Sequence, residues 1–130
     1  MDRFVRVEQL LGKKAVKRLS CARVTVFGLG AVGSFAVESL ARTGIGSFAL
    51  VDFDIVRESN FNRQIYALES SLGKPKVQIA RDRIFQINPE CAVEIYAEFA
   101  AQDNYERFLT PAPDIVVDAI DSVNPKPPLI

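Results

Sequence analysis

Three glycines, Gly28, Gly30 and Gly33, stand in the order G-x-G-x-x-G, directly after the apolar run from Val24 to Phe27 and at the head of a helix-like stretch. Glycines so spaced let a phosphate approach backbone N–H groups at a helix start, where the helix dipole also favours negative charge. Asp52 lies 24 residues beyond Gly28, at the end of a second apolar run, where a carboxylate can accept hydrogen bonds from ribose hydroxyls. A nucleotide is therefore expected over the glycine turn. To this point a dinucleotide and a nucleoside triphosphate fit equally well.

The block Ser59-Asn60-Phe61-Asn62-Arg63-Gln64, followed twelve residues later by Lys76, separates the two. A dinucleotide needs only its pyrophosphate held at the turn. ATP cleaved between its α and β phosphates needs cations and amides along the whole triphosphate. Asn60, Arg63 and Lys76 suit that role, although Asn60 alone also reads as a turn former and Lys76 alone as a solvated helix residue. Asp118 and Asp121 follow the last apolar run, at the carboxyl end of a strand facing the same crevice. A hard cation bridging phosphate oxygens takes one or two carboxylates and keeps several waters, so one aspartate is sufficient for magnesium. Asp121, beyond the strand end, is the expected ligand, and Asp118 is expected to support the loop.

Positioning these groups needs a particular run of elements. Residues 4–11 and 14–20 carry apolar groups at helical spacing around Gly12, which predicts two short helices as an entry arm. Residues 24–27 predict a strand and 31–42 a helix stopped by Thr43 and Gly44. Residues 47–52 predict a second, fully buried strand, and residues 53–73 a loop longer than a plain connector requires, which points to function. From Pro75, Val77, Ile79, Ala80, Ile84, Phe85 and Ile87 fall at helical spacing as far as Asn88-Pro89. Alternation over 92–99 predicts a third strand, 102–109 a short helix and 114–120 a fourth strand. The order implies an α/β, Rossmann-like, mostly parallel sheet with helices on both faces. The expected division is a helical arm over 1–22 and a nucleotide-binding domain over 23–130. That domain is expected to be incomplete, because SVNPKPPLI offers no helix or strand to cover the fourth strand.

With 130 residues, 48% apolar and 25% charged, the chain is long enough for one core. No apolar run approaches the ~20 residues that span a bilayer. Asp2, Arg6 and Glu8 occupy the stretch that a signal peptide would keep apolar, so a cytoplasmic protein without membrane contact is expected. The absence of histidine removes Ser-His, Cys-His and most zinc-hydrolase chemistry. Cys21 and Cys91 form no C-x-x-C pair and are expected to be reduced, buried packing residues without a catalytic role. Net charge is zero but segregated: residues 1–23 hold seven Lys/Arg against two Asp/Glu, a balance of +5 that the remainder offsets. Such an arm either meets phosphate or presents a solvated helix face.

The motifs GLGAVGS, LVDFD, SNFNRQ, GKPKV and DAIDSV, ordered along the whole chain, resemble the ThiF/MoeB/HesA superfamily related to ubiquitin-activating enzymes. Within it, RFVRVEQLLG, SLARTGIG, NFNRQIYAL, RIFQINPEC and AIDSVNPK look like the tRNA threonylcarbamoyladenosine dehydratase branch. The resemblance implies ATP and magnesium (Mg2+) as cofactors. It implies Gly28, Gly30, Ala31 and Gly33 at the adenosine and phosphates, Asp52 at the ribose with Asp54 beside it, and Asn60, Arg63 and Lys76 at the phosphates. Gln64 belongs with these nucleotide ligands without an individual role, and Asp121 would hold the metal. Arg6 matches an arginine that in this superfamily reaches the γ-phosphate of the neighbouring subunit's ATP, so a homodimer is implied, with catalysis carried by Arg63, Lys76, Asp121 and Arg6.

On this reading the partner is a tRNA carrying threonylcarbamoyladenosine. Its carboxylate attacks the α-phosphate, an acyl-adenylate forms as pyrophosphate leaves, and an internal nucleophile closes a ring with net loss of water. No covalent enzyme nucleophile is needed. The competing readings are adenylation of the C-terminal glycine of a ubiquitin-like sulfur carrier, an NAD-dependent dehydrogenase, which would leave the Asn-Arg-Lys-Asp set unexplained, and a nucleotide-binding fragment without catalysis. The superfamily would also admit a sulfur-transfer protein as a partner.

Overall fold

The computed structural model describes residues 2–120. Asp121, expected to hold magnesium, and the segment SVNPKPPLI that follows it lie outside the described residues. Two short helices, α1 (Val5–Leu11) and α2 (Lys13–Cys21), form the arm. Gly12 separates them with φ at 91°, a left-handed conformation that a side chain would resist, while its N–H still closes the last turn of α1 on Glu8 O at 2.7 Å.

The remainder runs β1 (Arg23–Phe27), α3 (Ala31–Thr43), β2 (Ser47–Val51), α4 (Lys76–Ile87), β3 (Ala92–Tyr96), α5 (Tyr105–Phe108) and β4 (Ile115–Asp118). These four strands pair in parallel, in the order β3-β2-β1-β4. Gly44, at φ 107°, ends α3, with its own N–H and that of Ile45 returning to Ala41 O and Leu40 O.

The pleat sorts the strand residues between two faces. Val24 and Val26 of β1 and Phe48 and Leu50 of β2 pack with Val37 and Ala41 of α3 and with Val77, Ala80 and Ile84 of α4. Phe27 and Val51 point the other way, onto Ala100 and Phe108, and Thr25 Oγ1 on that same face donates to Phe108 O at 3.4 Å. Each large apolar side chain so buried contributes about 1.5–3 kcal/mol. Helices thus cover both faces, as expected. The second face is covered more thinly, since α5 has only four residues where the periodicity predicts a helix over 102–109, and β3 stops at Tyr96. Phe85 departs from its expected packing. It lies one residue, or 100° of turn, past the fully buried Ile84, which carries it off the seam to the surface.

Across the α3–α4 seam, Glu38 Oε1 accepts from Arg83 Nε at 2.5 Å and Glu38 Oε2 accepts from Arg42 Nε at 2.7 Å and Arg83 Nη2 at 3.1 Å. Burial pushes the Glu38 carboxyl up, but the two guanidiniums outweigh it and hold the group below its ordinary value. The segment 53–73 is an ordered strap. Val56 N donates to Lys74 O and Gly73 N to Val56 O, both at 2.9 Å, while its own Val56, Tyr66 and Ser71 are buried. Cys91 is buried as expected. Cys21 is exposed, contrary to expectation, because α2 meets the core through Leu19 and the following Ala22 and turns its last residue outward. Among the described residues, no helix is long and apolar enough to cross a membrane.

Candidate active site

In the order β3-β2-β1-β4 the sheet grows one way from β1 to β3 and then returns to the other side of β1. At such a reversal a crevice opens beyond the carboxyl ends of the strands. The crevice here is lined by the turn after β1 (Gly28, Gly30, Ala31), the residues after β2 (Asp52, Asp54), the strap (Asn60, Arg63, Gln64), Lys76 of α4, and Ala119 and Ile120 after β4.

The three glycines have different reasons to be bare. Gly28 has φ at 94°, and a Cβ on it would stand 2.5 Å from Ala119 O. One on Gly33, inside α3, would stand 1.8 Å from Gly28 O. Those two serve the packing of turn, helix and strand. A Cβ on Gly30 would meet only the Gln64 side chain, with Nε2 at 3.5 Å. Its bareness leaves the crevice floor open rather than relieving a clash. No side chain caps α3, so its first-turn N–H groups are available to an anion.

Asp52 ties this turn to the sheet. Its Oδ2 accepts from Leu29 N and its Oδ1 from Asp54 N, both at 2.7 Å, and each oxygen keeps a further lone pair for a hydroxyl. Burial pushes its carboxyl above the ordinary value, opposed by the two amide bonds and by the Lys76 ammonium.

Lys76 is only 4% exposed, which removes its reading as a solvated helix residue. Its Nζ lies 3.7 Å from Asp54 Oδ2, the one carboxylate within ion-pair distance among the described residues, and Asp54 is shared with Arg57 at 3.3 Å. A buried cation so loosely paired, at the positive end of α4, is poised for a second anion. Asn60, also buried, uses Oδ1 to accept from Arg57 N at 2.9 Å. That bond fixes the amide so that Nδ2 is left as a donor. Arg63 is held at one corner, with Nη1 donating to Ser59 O and Asn62 Oδ1 at 2.9 Å each. Asn60, Arg63 and Lys76 therefore line one crevice with the glycine turn.

A model of the ThiF family matches residues 2–128. The chain belongs to the ThiF family. Two ThiF-family relatives are named tRNA threonylcarbamoyladenosine dehydratase. The Escherichia coli protein is 45% identical over 129 residues, 99% of this chain and 48% of that protein. The Bacillus subtilis protein is 44% identical over 123 residues, 95% of this chain and 48% of that protein. The crystal structure of the E. coli dehydratase, TcdA, in complex with ATP superposes with a TM-score of 0.91 at 45% identity, covering 95% of this chain and 51% of the other. The chain spans about half the length of the curated relatives it matches.

Other expected site residues fall differently within this ThiF-family crevice. Gln64, given no individual role by the motif, stands over Gly30. Arg6 does not line the crevice; it is exposed on α1 and donates to Gln9 Oε1 at 3.3 Å. Asp118 Oδ1 accepts from Ile120 N at 3.3 Å, the loop-supporting role expected of it. No group of three or more metal-ligating side chains occurs among the described residues. Sequence reasoning missed Phe53 and Phe99, which line the crevice with their rings edge-on at 5.2 Å and stand 61% and 47% exposed. The available signal was an aromatic set between two acids at a strand end in Asp52-Phe53-Asp54. Phe99 gave none, having been assigned to a strand that ends three residues earlier.

Proposed function

We propose that this chain is the nucleotide-binding part of an enzyme that uses ATP to adenylate a carboxylate, that of threonylcarbamoyladenosine in tRNA, leading to its cyclisation by dehydration. The observation that carries the reading is the placement of a buried ammonium, an oriented amide donor and a guanidinium around an uncapped helix start floored by Gly30. The relatives named as dehydratases support the substrate.

Under this proposal Asp52 accepts from the ribose and Asp54 positions Lys76, whose ammonium pairs with the polyphosphate and with the charge that develops as pyrophosphate leaves. Asn60 Nδ2 and Arg63 bond the outer phosphates, and Gln64 closes over the turn. The oxygen-only chemistry of the aspartates suits a hard cation, and Asp121 would hold magnesium, which supplies further neutralisation of the phosphates. Arg6, on the arm of residues 1–22 and away from its own crevice, would serve the crevice of a partner subunit in a homodimer, the domain proper being residues 23–130. The setting is taken to be cytoplasmic, with a sulfur-transfer protein admitted as a further partner.

The test is exchange of labelled pyrophosphate into ATP in the presence of magnesium. Exchange that requires tRNA bearing threonylcarbamoyladenosine supports the reading. Exchange that requires a small protein carrier instead would transfer it to sulfur-carrier activation, and thermal stabilisation by NAD but not by ATP would end it.

A further inference from the structure

At the opposite end of the domain, where α3 and α4 finish, a second hollow is lined by Arg3, Phe4, Arg42, Arg83, Gln86 and Ile87. Three guanidiniums meet there; Glu38 is the carboxylate within ion-pair distance of them among the described residues, and Asp2, next to Arg3, accepts from Phe4 N at 2.9 Å. Glu38 also organises the group: by accepting from Arg42 Nε and from Arg83 Nε and Nη2, it locks two guanidiniums side by side and leaves both Nη groups of Arg42 and Nη1 of Arg83 without a bond among the described residues. Arg3 spends Nη1 on Ile87 O at 2.6 Å, which satisfies one carbonyl at the α4 end and leaves its other side-chain nitrogens without a bond among the described residues.

Arg3 and Phe4 bring the start of the basic arm into the hollow. Phe4, in its wall, packs on the glycine that ends α3, where a Cβ on Gly44 would lie 3.6 Å from the ring. The same arm exposes Lys13, Lys14, Lys17 and Arg18 on α2. A closed pocket for one small anion would not need this spread of cations. A polyanion laid across the surface would. Along α3, Gly30 and Arg42 are twelve residues apart, about 18 Å at the helical rise, well within one turn of a nucleic-acid duplex.

We infer that the Arg3–Arg42–Arg83 hollow, with the basic face of α2, is a docking site for the phosphate backbone of RNA, holding the substrate at a distance from the crevice where its modified nucleoside reacts. The inference rests on the tRNA reading above and adds the surface by which the RNA is held. Backbone contacts of this kind set affinity and register rather than sequence preference, and they weaken steeply with salt.

The test is fluorescence anisotropy of a labelled, unmodified tRNA transcript, without ATP, as a function of potassium chloride. The proteins are the wild type, the Arg3→Gln/Arg42→Gln double variant and a control with equal charge removed per site, Arg81→Gln. The double variant is expected to bind roughly tenfold more weakly, with a salt slope shallower by about one to two, while Arg81→Gln stays close to wild type. Stabilisation by ATP should be the same in all three, which shows that the fold and crevice are intact and separates this result from failure of the adenylation reading. A double variant matching Arg81→Gln in affinity and slope, or a wild type that does not bind the transcript, overturns the docking site.

Discussion

Charged groups at the crevice and at the α3–α4 seam are built on opposite plans. At the seam, Glu38 accepts three hydrogen bonds from two arginines, so the cluster locks two helices together. At the crevice, Lys76 is more deeply buried yet has one carboxylate at 3.7 Å, and Asn60 has committed only its oxygen. Close pairing stabilises a fold, whereas unmet hydrogen-bonding capacity on a buried ion is a standing cost that a ligand removes. The glycines divide in the same way, Gly28 and Gly33 serving the chain and Gly30 the space above it.

The largest expected effect sharpens that division among glycines. Gly33→Ala drives a methyl into the Gly28 carbonyl and is expected to cost about 3 kcal/mol or more in urea unfolding. Gly30→Ala is expected to cost no more than about 1 kcal/mol while weakening ATP binding by calorimetry at least tenfold. Equal losses of stability in the two variants would erase the distinction.

Exchanging the two ionic regions comes next. Lys76→Ala is expected to lower pyrophosphate exchange by roughly a hundredfold or more while changing stability by only about 1 kcal/mol. Glu38→Gln is expected to do the reverse, losing about 1–2 kcal/mol at neutral pH with ATP binding in the crevice unchanged. Because the Glu38 carboxyl is held below its ordinary value of 4.5 in the folded state, its contribution is present in full above that pH and is lost as pH falls through the lower, folded value. The stability gap between wild type and Glu38→Gln should therefore close between neutral and acid urea titrations; a constant gap would show the guanidiniums do not act through charge. The smallest effect concerns the thiols. Ellman's reagent should label Cys21 in the native chain and spare Cys91, which is buried and pushed up to about 11 by that burial, until denaturant exposes it.

The core elements were legible because each rests on local periodicity and punctuation. Gly12, Gly44 and Pro75 mark helix limits by backbone geometry that few other residues adopt, and β1 and β2 read as apolar runs because both faces are covered. The site residues were legible as a set because the motif spacing keeps them in order. Their division of labour was not. Nothing local distinguishes Gly30 from Gly28, or shows that Lys76 is buried, that Phe85 turns outward or that Cys21 is exposed. Those outcomes depend on which neighbour arrives from elsewhere in the chain.

The sequence by itself determined the α/β order, the glycine turn, the acids after β2 and the phosphate-seeking residues that follow, since all are properties of spacing along one strand, loop or helix. Tertiary structure alone decided that β4 returns beside β1 and brings Ala119 against Gly28, that Asp54 rather than solvent meets Lys76, and that three arginines far apart in the chain share one hollow. The physical reason is that burial and ion pairing depend on contacts between segments, and those contacts exist only once the parallel sheet has fixed where each segment ends.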